Sequence, residues 1–286
     1  ADRVMGAKQV APTPNPPPLP TTAEQAIELR TMQLLDTATQ PTLVFLAAGY
    51  RFEEKDRFWA DVDRAMRALR ETPATASIDA SPWPRYFHLL NIFAVFEPST
   101  ESGASTAVGN GFDCSQAQTF APGAGLSPSS TQVSEGAPPA ACVAQERDTN
   151  LRCSYGTPQP RLLSCDHARV MTLATHAPAA DAVVVLVNDA RYGGTGSDGV
   201  AVLSNGGDLG FLLIHELNHA LAGLGDEYSY GFTEGDTSRF ALPNCHADRA
   251  NLPWQLWIDQ RRADAAPSLG CTFDNFYRPT ANSCLM

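Results

Sequence analysis

The chain has 286 residues, enough for one large domain or two small ones, and 43% hydrophobic with 18% charged residues is ordinary for a folded globular protein. A net charge of -11 without any Lys/Arg cluster argues against a nucleic-acid partner, because a phosphate backbone would be repelled. No apolar run reaches the roughly 18 residues of a transmembrane helix, so no membrane span is predicted.

Residues 1–20 begin without an initiator methionine or the apolar core of a signal peptide, as expected of a processed or trimmed product. They end in the proline-rich run from Pro12 to Pro20, which cannot hold a helix or a central strand and is predicted to be an extended segment. Residues 21–38 are predicted to form an N-terminal helix: Thr22 can cap it, and Ile27, Leu29, Met32 and Leu35 recur at roughly helical spacing. Residues 39–286 are expected to form one domain.

That domain opens with an apolar strand from Thr42 to Leu46, a charged helix from Glu53 to Glu71 with Phe58, Val62, Met66 and Leu69 along one face, and a strand from Phe87 to Phe96. His88 lies in that last pattern and reads as a core or surface histidine. From Ser99 to about Thr149 the chain is rich in Ser, Gly, Ala and Pro, and we expect an irregular insertion near the cleft, tied by a disulfide. Asp166 to His176 reads as a helix with His167 and His176 on its surface. Ala182 to Val187 is a continuous apolar run expected to be a well-buried strand, and Val200 to Leu203 follows it after a glycine-rich turn. Beyond Tyr228, Trp254 to Arg262 is the one clear helical segment.

Seven cysteines (Cys114, Cys142, Cys153, Cys165, Cys245, Cys271 and Cys284) include no Cys-x-x-Cys pair and no zinc-ribbon spacing. Disulfides are the expected state, with buried free thiols as the alternative. They point to a secreted or periplasmic location, with one thiol left over. Arginine far outnumbers Lys8 and Lys55, an association with GC-rich bacterial genomes.

The chemistry concentrates in His215-Glu216-Leu217-Asn218-His219. Histidines at i and i+4 face the same side of a helix, so both imidazoles can reach one cation at about 2.0–2.1 Å. Glu216 flanks the metal instead of ligating it, where it can act as the base toward a metal-activated water. With 6 histidines in the chain, chance supplies about 0.005 such matches. Asp208 can cap a run (Leu209, Phe211, Leu212, Ile214, Leu217, Leu221) that is apolar on most faces, and Gly223 can end it. A buried helix carrying two histidines and a carboxylate is costly without a partner for them, and Zn2+ is the cofactor expected.

This stretch, running into Gly223-Leu-Gly-Asp226-Glu227-Tyr228, resembles the IgA-peptidase family of zinc metallopeptidases, a metzincin-like group. Leu43 to Tyr50, Asp181 to Asn188, Tyr192-Gly193-Gly194, Leu242-Pro-Asn244, Trp254 to Trp257, and Tyr277-Arg-Pro279 leading to Met286 are similar to other sections of that family, so the resemblance covers most of residues 40–286. Ala222 stands where the strict metzincin pattern has glycine, and Asn218 where this family usually has one. The resemblance implies an α/β fold: a zincin/metzincin-like catalytic domain with a twisted mixed sheet, an active-site helix and an irregular C-terminal subdomain ending in a Met-turn. Met286 would floor the metal, and since chain normally follows a Met-turn, a longer gene product is expected. The edge strand that pairs with an extended substrate in metzincins would fall in Tyr192 to Ser204, where a plain hairpin turn is the other reading.

By the same resemblance His215, His219 and the residue three after Gly223, Asp226, hold zinc. Glu227, its neighbour, is the alternative ligand and otherwise braces the turn. Glu216 is the general base, and Tyr228 or Tyr277 assists the oxyanion. His246 is expected to be structural. The function that follows is a secreted zinc metalloendopeptidase with a polypeptide substrate, acting as a monomer. A non-catalytic zincin-shaped binding protein and a zinc amidase acting on cell-wall peptide are the alternatives.

Overall fold

The computed structural model describes residues 26–71, 81–106, 145–156, 161–206, 208–239, 242–260 and 267–279. In chain order these carry β1 (Glu28–Gln33), β2 (Thr42–Ala48), α1 (Lys55–Arg70), α2 (Trp83–Tyr86), β3 (Asn91–Phe96), β4 (Ser105–Thr106), β5 (Ser154–Tyr155) and β6 (Leu163–Ser164). They continue with α3 (His167–Ala174), β7 (Ala182–Val187), β8 (Gly194–Ser197), β9 (Val200–Ser204), α4 (Leu209–Ala222), α5 (Gln255–Asp259), β10 (Ser268–Cys271) and β11 (Phe273–Arg278). This is a mixed α/β fold. No described helix is long and apolar enough to cross a membrane.

Six strands form the main sheet in the order β1-β3-β2-β7-β9-β8. The four inner strands are parallel, and β1 and β8 close the two edges antiparallel. A parallel sheet must be covered on both faces, which is why β2, β3 and β7 are buried along their whole length and apolar after Thr42 and Asn91. Alternation then divides the side chains between two cores. Leu43, Phe45, Ala47, Val184 and Leu186 pack against Phe58, Val62 and Leu69 of α1 and Leu212, Leu213 and Leu217 of α4. Val44, Leu46, Val183, Val185 and Val187 face Val170 and Leu173 of α3, with Tyr155 and Leu163 of the small β4-β5-β6 sheet. Each fully buried valine, leucine or phenylalanine among them contributes roughly 1.5–3 kcal/mol.

The helix predicted over 21–38 is corrected for its described part. Residues 28–33 are an edge strand, with Glu28 opposite Phe96 and Arg30 opposite Ala94. The open edge of β3 offers main-chain partners that outweigh a weak helical pattern. Gln33 Nε2 also donates to the carbonyls of Phe87 and Leu90, and Asn91 Oδ1 accepts from the Leu35 amide. The segment expected as one strand over 87–96 is a 3-10 turn at Phe87–Leu89 followed by β3, which leaves His88 exposed. The extended segment 1–20, residues 21–25, Cys114, Cys142 and the Met-turn at Met286 lie outside the described residues.

The chain beyond α4 packs around a smaller core of Cys245, Cys271, Phe273 and Phe276, with β10 and β11 as its hairpin. Two disulfides, Cys153–Cys165 and Cys245–Cys271, are formed, as the cysteine count led us to expect.

Candidate metal centre

Helix α4 positions the site. Asp208 caps it by accepting from the Phe211 amide at 3.1 Å. Gly223 ends it in the left-handed conformation, φ 60°, and lets the chain turn sharply under the helix. Leu209, Leu212, Leu213, Ile214 and Leu217 are buried along it, and this packing fixes the outward stripe that carries His215 and His219. The His215 ring stacks on Phe211, with centroids 5.9 Å apart, and meets the His219 ring edge-on at 4.6 Å. Asn218, at a position where the resembling family usually has glycine, accepts from the Trp83 indole N–H at 3.3 Å and so ties the helix to α2.

The two Nε2 atoms stand 3.1 Å apart. His219 Nδ1 lies 2.6 Å from the Leu224 carbonyl, which can only accept, so Nδ1 carries a proton and Nε2 is the atom turned into the site. His215, Glu216 and His219 each offer one ligand atom, all within 4.8 Å of one another. Asp226 enters the same space from the turn after the helix. Its Oδ1 lies 3.2 Å from His215 Nε2 and 3.4 Å from His219 Nε2, closer than the grouping of the three helix residues requires. That oxygen is buried and has no hydrogen-bond partner among the described residues. Exposure is 7% for His215, 5% for Glu216 and 8% for Asp226, so little water competes for these atoms.

The turn that delivers Asp226 is pinned from three directions. Asn244 Oδ1 accepts from the Gly225 amide at 2.7 Å, and its Nδ2 donates to the Gly225 carbonyl at 2.8 Å and to Glu227 Oε1 at 3.4 Å. The Thr272 amide donates to the carbonyls of Asp226 and Tyr228 at 2.8 Å each. Arg278 Nη1 donates to the Glu227 carbonyl. The disulfide Cys245–Cys271 holds Asn244 and Thr272 in place, since each is adjacent to one of its cysteines. Glu227 is thus buried and bound to Asn244 within the brace.

Three further side chains complete the centre. Tyr230 donates its hydroxyl to Asp226 Oδ2, and Arg161 Nη2 donates to the Tyr228 hydroxyl at 2.7 Å and to the Tyr230 hydroxyl at 3.4 Å. Neither Arg161 nor Tyr230 is an expected site residue; they lie 69 positions apart and only folding brings them together. Tyr277, the other tyrosine considered, belongs to the hairpin and exchanges main-chain bonds with His246, whose ring contacts Asp248 instead.

Burial sets the electrostatics. It pushes the Glu216 carboxyl above its ordinary value, against the lowering effect of both histidines and Arg161. Burial would raise the Asp226 carboxyl too, but contacts with His215, His219 and Tyr230 outweigh it and hold Asp226 well below the carboxylate range. Burial raises Tyr228 far above the ordinary phenol value and Tyr230 to about 12, so both hydroxyls keep their protons.

The edge strand β8 lies directly on this helix. A Cβ at Gly194 would come 2.5 Å from Glu216 Oε1, and one at Gly196 would come 2.1 Å from the Glu216 carbonyl oxygen. Glycine at both positions is what allows the sheet edge to approach the base so closely.

No curated protein matches the sequence. The family model described as IgA Peptidase M64 matches residues 126–280, more than half of the chain, and spans α4, the Asp226 turn and the brace behind it. The protein therefore belongs to the IgA Peptidase M64 family, and the buried His215 and Glu216 with the part-buried His219 are the metal-binding group of a metallopeptidase.

Proposed function

We propose that the protein is a secreted zinc-dependent endopeptidase with a metzincin-like catalytic domain, in which His215, His219 and Asp226 hold the metal and Glu216 is the general base. The observation that carries this reading is the triangle formed by the two Nε2 atoms and Asp226 Oδ1, with edges of 3.1, 3.2 and 3.4 Å. Ligands about 2.0–2.1 Å from a tetrahedral zinc stand about 3.3–3.4 Å from one another, so one cation fits three atoms already in place. The otherwise unpartnered Oδ1 supports the same conclusion.

Zinc bound there supplies Lewis acidity toward a water molecule and a peptide carbonyl. Glu216 takes the water's proton, helped by burial that keeps its carboxyl a stronger base than an ordinary glutamate, and then passes that proton to the leaving amine. Tyr228, protonated and itself accepting from Arg161, is a hydrogen-bond donor suited to the developing oxyanion. Glu227 braces the turn through Asn244.

An extended substrate would lie along β8. The Gly193 carbonyl accepts from Ser204 within the sheet, so Gly194 and Gly196 direct their main-chain groups outward. The Gly194 amide is bound by the Arg161 carbonyl at 3.2 Å, and no described residue bonds the main chain of Gly196, which is left for a polypeptide. The two disulfides favour an oxidising compartment, hence secretion or the periplasm.

The test is metal analysis and peptide hydrolysis of four proteins. Glu216→Gln should keep zinc and lose turnover by about 10²-fold or more, and Asp226→Ala should lose zinc on dialysis against a weak chelator. Glu227→Ala should retain zinc more strongly than Asp226→Ala. Zinc lost from Glu227→Ala but kept by Asp226→Ala would exchange the two assignments, and wild-type turnover in Glu216→Gln would refute the mechanism.

A further inference from the structure

Arg161 differs from several arginines around the sheet. Arg51, Arg64, Arg169 and Arg191 each lie within 4.0 Å of a carboxylate. Among the described residues Arg161 has no such partner. Its hydrogen bonds run from Nη2 to two phenol oxygens, and Nε and Nη1 have no described acceptor. The rings of Tyr228 and Tyr230, with centroids 5.5 and 5.9 Å from the guanidinium carbon, offset part of its desolvation but present no opposite charge. Asp226 is reached only across Tyr230, so a cation held mostly out of water gains from an anion that joins it directly.

Its backbone is fixed as a binding group requires. The Arg161 carbonyl accepts from Gly194, and a Cβ at Gly193 would lie 2.3 Å from that oxygen, so glycine allows the segment to seat against the sheet edge. Thr195 Oγ1 donates to the Leu163 carbonyl at 2.7 Å, the Gly156 amide to the Leu162 carbonyl at 3.1 Å, and Cys165 is bonded to Cys153. The guanidinium lies beside the metal-binding group, since Nη2 donates to the Tyr228 and Tyr230 hydroxyls and Tyr230 in turn donates to Asp226 Oδ2. A planar guanidinium whose Nε and Nη1 meet no acceptor among the described residues matches a carboxylate better than any other group of a polypeptide.

We infer that Arg161 forms a carboxylate-binding subsite beside the metal-binding group, selecting polypeptides that carry an acidic side chain or a free C-terminus near the scissile bond. This rests on the peptidase reading above and adds the substrate's chemistry to it.

The probe is a set of hexapeptides in which Glu or Gln is stepped through every position, each made with a free and an amidated C-terminus. With the metal-loaded protein, kcat/KM should favour the acidic member of one matched pair by about tenfold or more. A preference for Glu at one position identifies a side chain as the source of the carboxylate, and a preference for free acid over amide identifies the chain terminus. In Arg161→Gln that ratio should fall to about twofold or less, and Arg161→Lys should restore part of it. A purely structural role would slow all peptides alike and leave the ratio unchanged, which would overturn the inference, as would a wild type indifferent to charge. If no peptide is cleaved, the peptidase reading fails for these substrates and calorimetric binding to the Glu216→Gln protein decides the subsite. Tighter binding of the acidic member that disappears with Arg161→Gln supports it, and equal affinities overturn it.

Discussion

Gly194→Ala tests whether the sheet edge sets the position of the base. The new Cβ would sit 2.5 Å from Glu216 Oε1 and 2.9 Å from its Cγ and Cδ, against an ordinary contact of at least 3.4 Å. The deficit at the oxygen is 3.4 − 2.5 = 0.9 Å. The obstructed atoms belong to a side chain, and the backbone at Gly194 is not in the left-handed region, so the fold can absorb the change by moving Glu216. A displacement of about 1 Å at a catalytic group typically costs about 10²-fold in turnover, near 2.7 kcal/mol of barrier. The neighbouring glycine should behave differently. At Gly196 a Cβ would meet the Glu216 carbonyl oxygen at 2.1 Å and His219 Cβ at 2.8 Å, and a helix backbone cannot yield as a side chain can. Gly196→Ala should therefore lose thermal stability and zinc together, whereas Gly194→Ala should keep both and lose turnover. The assay is zinc content, melting temperature and kcat/KM for a fluorogenic peptide, with Gly235→Ala as control because nothing lies within 4 Å of that position. Full turnover in Gly194→Ala, or parallel loss of zinc in both variants, would refute the reasoning.

Tyr230→Phe removes the donor to Asp226 Oδ2 without touching either imidazole. Loss of such a supporting bond should weaken zinc binding by about 10 to 100-fold, measured by competition with a chelator, with the melting temperature nearly unchanged. Cys245→Ala combined with Cys271→Ala opens a link across 26 residues and should cost about 3.5 kcal/mol by chain entropy. Because Asn244 and Thr272 adjoin those cysteines, denaturant unfolding and zinc affinity should decline together; a stability loss with unaltered affinity would show that the brace is held by other contacts.

The metal-binding helix was legible because its information is local. His215, Glu216 and His219 are a spacing, and Asp208 and Gly223 are a start and a stop, all within one element. The proposed third ligand, Asp226, could be reached only by family resemblance, because the placing of its Oδ1 3.2 Å from an imidazole is a fact of the turn's path. The buried strands β2 and β7 were equally readable, since a sheet covered on both faces leaves continuous apolar runs. At residues 28–33 the same local logic failed. Leu29 and Met32 fit a helix as well as a strand, and an unpaired edge of β3 some sixty residues away decided between them. Arg161 and Tyr230 were not reached as site residues, because their roles depend on contacts between distant segments.

The strand order has a consequence for how the centre assembles. β2 and β7 are neighbours although 139 residues separate them, so their pairing closes one of the longest loops in the sheet. His215 and Asp226 are only 226 − 215 = 11 residues apart, and β7, β8, β9 and α4 follow one another directly between 182 and 222. By loop-closure entropy alone the shorter connection is favoured by about 2 kcal/mol. The proposed ligand residues are thus joined by a far shorter loop than the one that brings β2 beside β7.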